Sequence, residues 1–140
     1  YGASASGQKG LRNISTLKTT ILQIQNVPAG DSIGYSRMSY VKRDSRIAII
    51  PIGYADGLDR HFSNGGGEVV INGHRCPIIG NICMDACMID VTDTDAHEGD
   101  SVIIFGEELP VSELSDQLKT IPYEILTSIS PRVKRVYYRE

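Results

Sequence analysis

The sequence predicts an all-β domain: a mostly antiparallel β-barrel with one or two short helices near the C-terminus. About eight short β-branched or alternating runs follow one another with brief connections. Turn residues punctuate them, and Asn72-Gly73 is the strongest hairpin signal, because a type I′ turn needs positive φ at both central residues. Helical spacing of apolar residues is confined to the region after Ser112.

In chain order, residues 1–16 are rich in Ser, Gly and Ala and read as a lead-in segment or linker, with the β-barrel domain at 17–140. The run "LKTTILQIQNV" (17–27) is β-branched and partly alternating, and "PAGD" (28–31) is a turn. "SIGYSRMSY" (32–40) follows; a regular strand there would set Ile33, Tyr35 and Arg37 on one face. "RIAIIPI" (46–52) is a continuous apolar run, as a strand buried on both faces requires. Beyond an irregular stretch to Gly67, "EVVI" and "CPIIG" flank the Asn72-Gly73 turn. "ICMDACMIDV" (82–91) and "SVIIF" (101–105) read as further strands around the loop "DTDAHEGD". Ser112 is a candidate cap for a helix to about Thr120, with Leu114, Leu118 and Ile121 on one face. Pro122 suits the first turn of a second helix. After Pro131, "RVKRVYY" reads as a last strand.

Composition bounds the function. The chain has 140 residues, enough for one domain, and a net charge of −3, which gives no strong pull toward nucleic acid or anionic membrane. No apolar run approaches the ~20 residues of a membrane helix. Three cysteines, an odd number, suit a reducing compartment better than a disulfide scaffold. The chain opens at Tyr1 without Met or a signal peptide, so a fragment of a longer protein is expected.

Several motifs have plain readings. His74, Cys76, Cys83 and Cys87 can be drawn as zinc ligands, but the usual C-x2-C spacing is missing and small core residues explain the cysteines better. Gly65-Gly66-Gly67 lacks the Lys-Ser/Thr of a phosphate loop. "RVKRVYYRE" reads as a solvated basic strand rather than an RNA contact. The tyrosines carry more. Tyr35 lies two residues before Arg37, and Tyr54 sits in a glycine-flanked turn with Asp56 and Arg60 close behind. A phenol is a poor base at neutral pH, and nearby positive charge makes it a usable one.

"IGYSRMSY", "IPIGYADGLDR", "GNICMDACMIDV", Gly99-Asp100 and "YEILTSISPRVKRVYY" fall in an order and spacing similar to the C-terminal domain of alanine racemases. The resemblance covers essentially the whole chain, and GYADG followed by CMD is its specific part. It implies a bacterial, cytoplasmic homodimer that interconverts L- and D-alanine for the cell wall. An N-terminal (β/α)8 barrel, absent here, would hold pyridoxal 5′-phosphate (PLP) on a lysine. The barrel of one subunit would meet the β-domain of the other around a small amino-acid substrate, with no nucleic acid, membrane or metal involved. By the same resemblance, Tyr35 is the base on the face opposite the lysine. The Met84 backbone amide binds the substrate carboxylate. Asp85, Tyr54 and Arg60 line the site and its corridor.

The chemistry fits that division. Racemisation takes a proton from Cα and returns one from the other side. The carbanion needs an electron sink that no side chain provides. Two bases on opposite faces suffice, and a phenol held by packing can be one of them. This chain lacks the PLP lysine, so the fragment alone is expected to be inactive, with no cofactor-binding residue of its own. It carries Asn81 where many relatives carry arginine, and Ser130-Pro131-Arg132 where some carry a tyrosine that contacts the cofactor. Two rival readings stay open: a racemase of the same fold acting on serine or another amino acid, and a stand-alone β-barrel binding module. Sequence upstream of Tyr1 separates them.

Overall fold

The computed structural model describes residues 13–34, 37 and 39–138. Its strands are β1 (Leu17–Thr20), β2 (Gln23–Val27), β3 (Ser32–Ile33), β4 (Ser39–Tyr40), β5 (Ser45–Ile50), β6 (Glu68–Ile71), β7 (His74–Ile79), β8 (Cys87–Asp90) and β9 (Ser101–Phe105). Seven of them form one sheet in the order β1-β9-β6-β7-β8-β5-β2, and every pairing is antiparallel.

That order forces the sheet to curl. Laid flat, its edge strands β1 and β2 would lie roughly 29 Å apart, at about 4.8 Å per strand spacing. Only Ile21 and Leu22 separate them in sequence, a reach of about 11 Å. These two residues stitch the seam: Ile21 N–H donates to the Asp100 carbonyl (3.0 Å) and Leu22 N–H to the Ile49 carbonyl (2.9 Å). The result is a partly closed antiparallel barrel, as expected. The run 17–27 is therefore two strands on opposite edges, where the sequence suggests one. Both edges are polar outside, through Lys18, Thr20, Gln23, Gln25 and Asn26, which discourages pairing with a second chain.

Ala48, Ile50, Val69, Ile71, Ile78, Ile89, Val102 and Ile104 fill the interior. β5 lies between β2 and β8 and is covered on both faces. Ala48 and Ile50 point inward, and Ile47 lies under a second cluster with Ile33 and Val41, joined by Val27, Ile79 and Met88. That outer cluster seats the β3–β4 hairpin. The segment 32–40 is thus a hairpin where a continuous strand was predicted, because Gly34 turns the chain at φ +76°. Tyr35 lies outside the described residues. Asn72 (φ +48°) and Gly73 (φ +78°) make the predicted turn between β6 and β7.

Four further expectations need correction. Residues 82–86 form a loop, and the strand begins only at Cys87. Helix α1 spans Val111–Gln117 after Pro110, so Ser112 is inside the helix and not its cap; Ile121 is exposed instead of lying on the buried face. Helix α2, Pro122–Ser128, carries proline in its first turn as predicted. Residues 131–138 form no ladder, and Tyr137 and Tyr138 are exposed. No described helix is long and apolar enough to cross a membrane.

Ile89 sits on a central strand with no exposed surface. Ile89→Ala removes buried methyl groups from a packed interior and is expected to lower stability by about 2–5 kcal/mol, read from urea unfolding.

Candidate active site

The glycines of the GYADG turn are there for close approach. A Cβ on Gly53 would overlap the carbonyl oxygens of Cys83 and Met84. A Cβ on Gly57, at φ +109°, would come within 2.7 Å of the Ser128 carbonyl oxygen. The turn is thereby wedged between the 82–86 loop and the end of α2. Two successive backbone bonds tie it to the loop: Tyr54 N–H donates to Cys83 O and Ala55 N–H to Met84 O, each at 3.0 Å.

Between the two glycines sits Asp56, one of few buried charged residues described, at 8% exposure. One carboxylate oxygen accepts the Gly53 N–H at 2.9 Å, closing the turn on itself. The other accepts Arg132 Nε at 2.7 Å. The Arg132 guanidinium also pairs with Asp85, and Ser130 N–H donates to the Asp56 carbonyl at 3.0 Å. One arginine from the C-terminal segment thus ties the GYADG turn to the CMD loop. Burial pushes the Asp56 carboxyl up, but the Arg132 and Gly53 hydrogen bonds and the guanidinium charge outweigh it and hold it below its ordinary value. The same two carboxylates raise Arg132.

Around this tie, Tyr54 and Met84 stand out into solvent, 45% and 53% exposed. The Met84 N–H has no acceptor among the described residues, while its carbonyl is occupied by Ala55. Arg60 opens a single 3-10 turn, Arg60–Phe62, capped by the Asp59 carboxylate on His61 N–H (2.8 Å) and anchored by buried Phe62. Tyr54 and Arg60 line one side of a cleft of about 810 Å³ floored by Leu58, Phe62, Leu114 and Ile125. The structure therefore brings Tyr54, Met84 and Asp85 together, with Arg60 farther along the cleft. The cysteine grouping does not assemble into a metal site: Cys76 and Cys87 are buried in the core, where burial pushes their thiols up to about 11 and about 12, and His74 is exposed.

Residues 14–137 match the family described as alanine racemase, C-terminal domain. The chain belongs to that family. It is 46% identical over 133 residues to alanine racemase 1 of Caldanaerobacter subterraneus, covering 91% of this chain and 34% of that protein. It is 47% identical to the alanine racemase of Rickettsia bellii, covering 98% of this chain and 35% of that one. Among solved structures, Bartonella henselae alanine racemase with covalently bound pyridoxal phosphate superposes with a TM-score of 0.92 at 39% identity, over 99% of this chain and 39% of its own. Bacillus anthracis alanine racemase with bound L-Ala-P gives 0.91 at 36% identity, over 99% and 38%. The chain thus spans about a third of the length of the curated relatives it matches.

The sequence drew attention to Asp56 only as a neighbour of Tyr54 and to Arg132 only where some relatives carry a tyrosine, and assigned neither a role. An aspartate between two glycines before apolar Leu58 hints at a buried carboxylate, but its partner lies 76 residues away.

The depressed Asp56 pKa makes its contribution acid-sensitive. The folded value lies below the unfolded one near ~3.9, so the stabilisation is present above that pH and lost as pH falls through the folded value. Asp56→Asn is expected to unfold at lower urea than wild type at pH 7, with the two midpoints converging as pH falls through the folded value. Parallel midpoints across that range would rule out an ionised Asp56 in the tie.

Proposed function

We propose that this chain is the β-domain of an alanine racemase and supplies the base and the carboxylate site to a barrel domain of a partner subunit. The observation that carries the reading is the joined GYADG and CMD elements, which present the exposed Tyr54 and a Met84 N–H without an acceptor among the described residues on one surface. A backbone N–H fixes a carboxylate without calling on any particular side chain, and its position here is set by the loop that Tyr54, Ala55 and Arg132 hold. Tyr35, on the segment between β3 and β4, holds and moves the proton at Cα on the side away from the barrel. Tyr54 and Arg60 shape the approach to the substrate, and Asp85 keeps Arg132 on the CMD loop.

PLP, when bound, supplies the electron sink for the carbanion. Its lysine must be enclosed to react as an amine, whereas every described lysine, at 18, 42, 119 and 134, is exposed. None of the described lysines suits a PLP site, which supports placing the cofactor on the barrel. A cytoplasmic bacterial homodimer follows from the same reading.

Two measurements test it. In the full-length protein, Tyr35→Phe is expected to slow proton removal from L-alanine by about 10²-fold or more while PLP affinity changes little. Equal losses of both would make Tyr35 structural. The 140-residue chain supplied with PLP is expected to show no racemisation; measurable turnover would place the cofactor site on this domain.

A further inference from the structure

The base and the carboxylate donor sit on different elements, and something must fix their separation. Tyr35 lies in the connection of the β3–β4 hairpin, and Met84 lies in the loop before β8. The two elements share no backbone ladder among the described residues. They meet instead through Asn64. Its side-chain nitrogen donates to Asn81 Oδ1 at 2.9 Å, and its side-chain oxygen accepts the Ser39 hydroxyl at 2.9 Å. Asn64 is held in the left-handed region at φ +56°, a conformation asparagine tolerates better than most residues. Its own N–H donates to Gly80 O at 2.9 Å, and the neighbouring Ser63 hydroxyl accepts Ile82 N–H at 3.0 Å. Residues 63–64 are thus zipped to 80–82, two residues before Met84, and reach across to Ser39.

Packing pins the other shoulder of the same hairpin. The Met88 methyl lies where a Cβ on Gly34 or on Gly80 would come within 2.8 Å, so one thioether fills the space against both glycines. Gly34 directly precedes Tyr35, and Gly80 directly precedes Asn81. Both glycines have positive φ. The hairpin is therefore held to the 80–88 segment at two points, one apolar and one hydrogen-bonded.

We propose that Asn64, with Ser39 and Asn81, is a positioning residue: it sets the distance between the Tyr35 segment and the Met84 amide. The proposal rests on the functional reading above. It also gives Asn81 a task an arginine would not share, since an arginine has no acceptor for the Asn64 amide.

Glycine takes positive φ freely, so Asn64→Gly removes both side-chain bonds without strain, and Ser39→Ala removes one of them. In the 140-residue chain, each is expected to raise hydrogen exchange of residues 32–41 by about threefold, the double variant matching Asn64→Gly alone because both cut one tie. In the full-length protein, both variants are expected to raise the isotope effect with Cα-deuterated L-alanine and leave that with D-alanine unchanged. Conservative Asn64→Asp keeps the acceptor for Ser39 and loses the donor to Asn81, so it is expected to fall between Asn64→Gly and wild type. Unchanged exchange, additive exchange in the double variant, or equal rises in both isotope effects would overturn the proposal. A wild-type full-length protein that does not racemise alanine would instead overturn the functional reading, while the exchange arm still judges the tie.

Discussion

The Asp56 carboxylate is the point at which three distant stretches of chain are made into one object. It is buried, so its charge has to be matched locally; water is not there to do it. The Gly53 N–H takes one oxygen and Arg132 the other. Exposed ion pairs contribute little, and the Arg132–Asp85 pair by itself would be one of these. The pairing with Asp56 differs, because removing the arginine would leave a carboxylate inside the protein without a counter-charge. Arg132 is therefore compelled to its place by the buried partner, and Asp85 is located by an arginine already fixed. The order of dependence runs from burial to charge pairing to loop position.

Glycine placement serves the same end. Gly53 and Gly57 let the turn approach two backbones at once, and the resulting Tyr54–Cys83 and Ala55–Met84 bonds tie down a loop that belongs to no strand. A loop so tied can hold the Met84 N–H, which has no acceptor among the described residues, in a fixed direction. Side-chain recognition at the same spot would need a rotamer to be held as well. The packing of Met88 against Gly34 and Gly80 does for the hairpin what the GYADG glycines do for the loop.

What the sequence made legible was local. Asn72-Gly73 declared its turn because both residues must have positive φ, and distant strands cannot change that. Pro122 marked a helix start for a similar reason. The apolar run at 46–52 was correctly read as covered on two faces, although only the structure shows that the second cover is the β3–β4 hairpin. What failed was set by tertiary geometry. Residues 17–27 have the pattern of one strand, and they break at Ile21-Leu22 because the two halves close opposite edges of a barrel. The terminal "RVKRVYY" has strand propensity but pairs with neither edge strand, β1 or β2, among the described residues. For the site, Met84, Asp85, Tyr54 and Arg60 were named by motif resemblance; the structure sets the Tyr54 turn against the loop that holds Met84 and Asp85, and their roles are the proposal made above. Asp56–Arg132 and Ser39–Asn64–Asn81 were not reached, because a pairing across 76 or 25 positions leaves no periodic trace in one sequence.

On the proposed reading, in which Tyr35 and the Met84 N–H serve a two-domain enzyme, the arrangement also explains why a β-domain suits this part. A proton acceptor and a carboxylate donor must keep their separation to within a fraction of an ångström as substrate comes and goes. Strands braced on both faces move less than a helix end or an untied loop. Here the hairpin rests on β5, β7 and β8 through Ile33 and Val41, while the CMD loop leaves from β7 and returns into β8. Both working elements thus spring from the same three strands. The sheet beneath braces both elements, so the surface above them can take up the proposed role without loosening what supports it.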